Sequence, residues 1–287
     1  MTRPWAKLLV ILEMIKFEHT VFALPFALAS ALVASHGLPS GRTLGLILMA
    51  MVGARSAAMA FNRIVDVRLD ALNPRTANRA LPRNLVSRGA AWALVVGGSA
   101  MLLIAACLLN PLACALSPVA LAVVLGYSYS KRFTSLSHLW LGLALGIAPV
   151  GAWVAVKGEI GFPSMVLSAA VILWTAGFDI IYALQDLEFD RRFGLFSLPA
   201  RMGPSRALLV SRAFHVGATI LLILFGFLCK LGVWYYVGVG LAAGSLLYEQ
   251  SIVSPDDLSR VNAAFFNANG VVSIAILAFV ALDLYAR

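Results

Sequence analysis

Apolar residues come in nine long runs, at 20–35, 43–61, 91–109, 111–127, 139–156, 163–184, 207–228, 231–248 and 267–284. Most approach the roughly 20 residues that a helix needs to cross a hydrocarbon core of about 30 Å. In lipid every backbone N–H and C=O must find its partner within the chain, which leaves helices or closed barrels, and runs this continuous are helices. The pattern predicts an all-α integral membrane protein, one domain over residues 1–287 with about nine transmembrane helices in a bundle. Residues 1–19 break the pattern: in WAKLLVILEMIKFEH, Glu13, Lys16, Glu18 and His19 interrupt the apolar positions. That segment reads as an amphipathic surface helix, or as the early first turn of the first span. It is not a signal peptide, since no short apolar core ends at an A-x-A type site.

Polar positions inside the pattern carry the chemistry. Arg55 lies within the second run, and Asn62, Asp66 and Asp70 follow at its end in RSAAMAFNRIVDVRLD. At about 100° per residue, Asn62 stands about −20°, Asp66 about +20° and Asp70 about +60° from Arg55, so the four share one face. A charge near the bilayer centre costs about 2.5–3.5 kcal/mol even on lenient scales, which makes an intramembrane Arg above a ladder of carboxylates a functional expectation. The bland alternative is a solvated loop start with Arg55 pairing a neighbour. A second copy argues against it: Asp179, Asp186 and Asp190, in DIIYALQDLEFD, repeat the spacing at the end of the sixth run. Two acidic faces of one spacing suggest one shared site.

Charge orients the picture. If the N-terminus and every second loop share a side, that side holds 17 Lys and Arg against four on the other, with Arg55 inside a span. The asymmetry places the N-terminus and both acidic motifs in the cytoplasm of an inner-membrane, multi-pass protein. The net charge of +9 is therefore a topology signal that also attracts anionic lipid head groups, and it argues little for nucleic acid. With 61% hydrophobic residues, 12% charged and a mean hydropathy of +0.90, a soluble domain is excluded. Cys107, Cys114 and Cys229 show no metal-ligand spacing and read as buried small residues, neither disulfides nor ligands. No phosphate-cradling Gly-rich loop and no nucleophile elbow is present, and His138 and His215 at helix starts read as satisfied polar groups.

The loops next to the acidic motifs are basic: Arg75, Arg79, Arg83 and Arg88 follow the first, and Tyr127, Tyr129, Lys131 and Arg132 lie in YSYSKRFTSLSH. Carboxylates in two clusters among fixed cations suit a Mg²⁺-bound diphosphate: hard oxygens hold the metal, and Arg and Lys take the phosphate charge that the metal leaves. Mg²⁺ takes one or two carboxylates per ion, so this set suits two or three ions and the departure of a diphosphate from carbon. A long apolar tail explains why such a site opens into lipid.

Nearly the whole chain resembles the UbiA superfamily of intramembrane prenyltransferases. The first motif of that family stands here as Asn62, Arg63, Asp66 and Asp70 followed by RTANRALP; Arg55, seven residues earlier, resembles the hydroxybenzoate branch. The Y-x-x-x-K-R-x-T signature appears as Tyr127, Lys131, Arg132 and Thr134, and the second motif as Asp179, Tyr182, Asp186 and Asp190. Arg63 departs from the Asp of many members, removing one possible metal ligand, and resembles a subgroup that includes dihydroxynaphthoate prenylation. The resemblance implies two four-helix halves and one further helix around a central cavity, capped by cytoplasmic loops. It implies Mg²⁺-assisted ionisation of a polyprenyl diphosphate and attack on the allylic cation by an aromatic acid, 4-hydroxybenzoate or a dihydroxynaphthoate, in ubiquinone or menaquinone biosynthesis. Asp66, Asp70, Asp186 and Asp190, with Asn62, would hold the metal. Arg79, Lys131 and Arg192 would take the diphosphate, with Tyr127, Arg132 and Tyr182 in the substrate-binding set. Arg55 and Asp179 lie deeper and are assigned to the acceptor, or alternatively to a buried pair with each other. Phe22, Phe26, Phe61, Trp174 and Phe178 would shield the cation or simply pack. A haem, chlorophyll or glycerol-lipid acceptor is the nearest rival, and a transporter of an anionic lipid would instead show helices broken near the midplane.

Overall fold

The computed structural model describes residues 10–14, 20–255, 257–258, 260–261 and 267–286. Among them there is no strand, and every run expected to span is helical. The helices are α1 (Thr20–Ser35), α2 (Gly41–Leu72), α3 (Arg88–Leu109), α4 (Pro111–Ser130), α5 (Ser137–Lys157), α6 (Phe162–Ala183), α7 (Leu187–Arg192), α8 (Leu198–Met202), α9 (Pro204–Leu228), α10 (Val233–Ser251) and α11 (Asn269–Tyr285). By length and hydropathy six of these, not nine, are apolar enough to cross a membrane: α2, α3, α4, α5, α9 and the continuous stretch Phe162–Arg192. The first and last expected spans are shorter apolar helices. The eighth, α10, ends in the polar Glu249, Gln250 and Ser251, which lie within its 19 residues. Of the amphipathic segment expected over 1–19, only residues 10–14 are described; they are helical, and the rest lies outside the described residues.

Two compact units make up the chain, Met1–Thr20 with Gly45–Tyr129, and Val21–Leu44 with Ser130–Arg287. These are not the two four-helix halves that the resemblance implies, because α1 belongs to the later unit. Aromatic packing explains why. Phe22 and Phe26 of α1 lie against Trp174 at centroid distances of 6.3 and 5.1 Å, Phe178 closes the group, and Ser30 Oγ donates to Pro149 O at 2.6 Å. All four rings are at most 3% exposed, so they are core of this unit. Phe61, in the other unit, packs on Trp92 and Tyr129.

Small residues set the helix spacing within each unit. A Cβ at Gly53 of α2 would stand 2.6 Å from Gly98 O of α3, and one at Gly98 would stand 2.6 Å from Gly53 O. Such backbone-to-backbone approach is what small residues permit in membrane helices. In the later unit Gly142 and Gly146 of α5 face Ile172 and Ser168 of α6, a close approach within one chain. Ser87 caps α3 by accepting from Ala90 N at 3.1 Å, and Asn110 Oδ1 accepts from Ala113 N at 2.9 Å to start α4 across a tight turn. That turn brings Cys107 and Cys114 together as a disulfide, correcting the reading of both as unlinked residues: each lies one helical turn from Asn110, and their Cα atoms are 4.1 Å apart. Cys229 is free.

Candidate active site

The first acidic motif sits on a helix that does not stop where its apolar run stops. α2 continues past Phe61 to Leu72 with no Gly or Pro to break it, so Arg55, Asn62, Asp66 and Asp70 keep the helical register assumed from spacing. Asn62 Nδ2 donates to Asp66 Oδ2 at 2.9 Å. Arg79 Nη1 meets Asp70 Oδ1 at 2.6 Å, and Thr76 Oγ1 donates to the Asp70 carbonyl at 3.0 Å, which folds the loop after α2 back onto its last turn. Arg63, the departure from the motif, is a buried internal cation: Nη1 donates to Asn62 Oδ1 at 3.2 Å and lies 3.9 Å from Asp70 Oδ2, and Nε donates to Met14 O at 3.4 Å. A guanidinium therefore neutralises the ladder from within. Arg55 is half-buried with its Nε enclosed, and Tyr127 is half-buried near the end of α4.

The second motif follows a break. α6 ends at Ala183, a 3-10 turn covers Leu184–Asp186, and α7 carries Asp190. The helical pitch therefore changes between Asp179 and Asp190. The two ends of the motif meet different partners. Lys131 Nζ lies 3.7 Å from Asp190 Oδ2, while Asp179 Oδ2 lies 2.7 Å from His138 Nδ1. Asp186 is buried in the 3-10 turn. Tyr182 packs against apolar clusters on both of its sides, Arg132 is half-buried, and Arg192 is exposed with its guanidinium 5.7 Å from the Phe193 ring.

Two connections bring Lys131 to Asp190. Residues 131–138 and 196–201 are laced by Phe196 N to Lys131 O at 2.7 Å, Leu198 N to His138 Nε2 at 3.2 Å and Arg201 Nη1 to Ser135 Oγ at 3.2 Å. His138, read from sequence as a satisfied polar group, is therefore part of this site. The signal available was its place four residues after Thr134, at the end of a signature stretch.

Among the described residues no three His, Cys, Asp or Glu side chains gather around one position as a metal would need them. Mg²⁺ does not require that, because it keeps several waters and takes one or two carboxylates. The donor chemistry fits: Asp70 Oδ2 and Asp190 Oδ2 are both buried, both without a hydrogen-bond partner, and both beside a cation. A buried oxygen of that kind calls for an explanation, and a ligand is the economical one. The 3-10 turn at Leu184–Asp186 falls at the end of its apolar run.

The UbiA prenyltransferase family model matches residues 23–271. A 4-hydroxybenzoate octaprenyltransferase of Nitrosospira multiformis is 31% identical over 258 residues, 89% of this chain and 87% of that protein. A UbiA homologue from Aeropyrum pernix K1, solved in the apo state, superposes with a TM-score of 0.84 at 41% identity, over 93% of this chain and 98% of that one. A UbiA homologue from Archaeoglobus fulgidus, solved with DMAPP and Mg²⁺, shares the fold with a TM-score of 0.76 at 20% identity, over 96% and 99% of the two chains.

Proposed function

Because the chain belongs to the UbiA prenyltransferase family, we propose that it transfers a polyprenyl group from a polyprenyl diphosphate to an aromatic acid, 4-hydroxybenzoate, in quinone biosynthesis. The observation that carries this reading is the matched pair of buried, unbonded oxygens, Asp70 Oδ2 and Asp190 Oδ2, each beside a fixed cation at the end of its motif. Relatives named as 4-hydroxybenzoate octaprenyltransferases support the acceptor.

Asp66, Asp70, Asp186 and Asp190, with Asn62, hold Mg²⁺, which when bound supplies the Lewis acid that neutralises the departing diphosphate. Arg79, Lys131 and Arg192 take the phosphate charge that remains, and Tyr127, Arg132 and Tyr182 complete the substrate-binding set. Arg55 holds the acceptor carboxylate by a charge-assisted bond. Asp179 accepts the hydrogen bond of the phenol, which raises electron density on the ring carbon that attacks. The allylic C–O bond breaks with its electron pair leaving on the diphosphate, a C–C bond forms to the ring, and the ring proton is lost. Nine crossings with the N-terminus and both acidic ends toward the cytoplasm of the inner membrane fit the distribution of 17 against four basic residues.

Purified protein in detergent with Mg²⁺ and a polyprenyl diphosphate, offered 4-hydroxybenzoate and a dihydroxynaphthoate in turn, tests this. Prenylated hydroxybenzoate by mass spectrometry, lost with EDTA and with Asp66→Ala, is the expected result. Product with the naphthoate alone would move the acceptor. No product from folded protein that binds the diphosphate would overturn the aromatic reading.

A further inference from the structure

His138 is the second residue of α5 and has no exposed surface. Both ring nitrogens are engaged, and one bond dictates the other. Nε2 accepts the N–H of Leu198 at 3.2 Å, so it carries a lone pair, and the proton of the ring sits on Nδ1. That proton is donated to Asp179 Oδ2 at 2.7 Å. Leu198 is the first residue of α8, where a backbone N–H has no partner within its own helix. The demand of a helix start therefore selects the tautomer that grips the carboxylate. Within the pair the carboxylate is the presented member: the Asp179 side chain keeps 13% exposure and that of His138 none.

We propose that His138 is a positioning residue for the prenyl acceptor: it fixes the Asp179 carboxylate in one orientation for the phenol, and it ties that orientation to the segment that follows the second acidic motif. The segment is the one laced to Lys131 and Ser135, so the placing of Lys131 and the setting of Asp179 are parts of one hydrogen-bonded unit. An imidazole suits both tasks because its two nitrogens point in different directions, one to a backbone donor and one to a carboxylate. The inference rests on the assignment of Asp179 to the acceptor.

Three variants separate positioning from plain structural support. In His138→Asn the amide Nδ2 stands where Nδ1 stood and keeps the bond to Asp179 while the Leu198 N–H loses its acceptor. In His138→Gln the amide oxygen reaches toward Leu198 and the bond to Asp179 is lost. Asp179→Asn tests the assignment itself. Michaelis constants for 4-hydroxybenzoate and for the polyprenyl diphosphate are measured separately, with thermal midpoints in detergent. Expected for His138→Gln is an acceptor KM raised about tenfold with the diphosphate KM unmoved. Expected for His138→Asn is an acceptor KM within about twofold of wild type and a lowered thermal midpoint. Equal loss in Asn and Gln, or a shift in both Michaelis constants together, would make His138 merely structural and overturn the proposal. If Asp179→Asn raises the acceptor KM while His138→Gln does not, the assignment stands and the positioning role fails. If Asp179→Asn leaves the acceptor KM unchanged, or wild-type protein does not prenylate hydroxybenzoate, the assignment fails and takes the proposal with it.

Discussion

Asp70 closes a helix that runs unbroken for 32 residues, whereas Asp190 lies on a six-residue helix beyond a 3-10 turn. The cations around Asp70 come from its own neighbourhood, Arg63 two turns earlier on the same helix and Arg79 in the loop that follows. The cation beside Asp190 comes from a different connection, and it is held there by hydrogen bonds between two loop segments. One acidic end is built into a rigid rod and the other is assembled. The first should therefore fail when a charge is removed, and the second also when a tie between loops is cut.

The largest effect tests what the two ends share. Asp70→Ala and Asp190→Ala should each lower kcat/KM by about 10³-fold, read as diphosphate release. A large loss at one alone would mean that only that end handles the leaving group. Arg63→Leu probes the rod. It leaves a buried carboxylate short of one partner and should lower unfolding stability by about 3 kcal/mol, whereas removal of the half-exposed Lys131, which leaves the buried Asp190 without its cation, should lower the unfolding midpoint and also act on the diphosphate KM. Gly98→Ala probes the same rod through packing: its Cβ would meet backbone atoms of α2, and a loss of about 2 kcal/mol is expected in the same unfolding measurement. Arg201→Ala, which cuts one tie between the loops, should raise the diphosphate KM about threefold and leave stability within error. If Arg201→Ala proved as damaging as Arg63→Leu, the contrast between rod and assembly would be wrong.

Much of this was written in the sequence, for a reason that also marks its limit. Spacing along an ideal helix is a geometric quantity, so Asn62, Asp66 and Asp70 fall on the expected face because α2 stays helical beyond its apolar run. The same arithmetic did not foresee the 3-10 turn between Asp179 and Asp190, since three residues of changed pitch are invisible to an argument that assumes one pitch. Arg63 looked like a missing ligand; that it folds inward to pair with Asn62 and Asp70 depends on tertiary enclosure, which spacing does not encode. His138 was legible as polar and near a signature. Its meaning required Asp179 and Leu198, 41 and 60 residues away, to arrive on either side. Length and hydropathy single out six of the nine expected crossings; the first and last runs form shorter apolar helices.

The bridge between Cys107 and Cys114 bears on how the chain is delivered to its membrane. It spans the turn between the third and fourth apolar runs, which the proposed orientation turns away from the cytoplasm, toward a compartment where thiols are oxidised. Under that orientation, insertion and oxidation would be linked. A copy threaded the right way exposes this pair to oxidant and loses both thiols, while a copy threaded upside down keeps them in a reducing environment. Under that orientation, a thiol-reactive mass tag that labels Cys107 would count the chains in which the bridge has not formed, without any assay of activity.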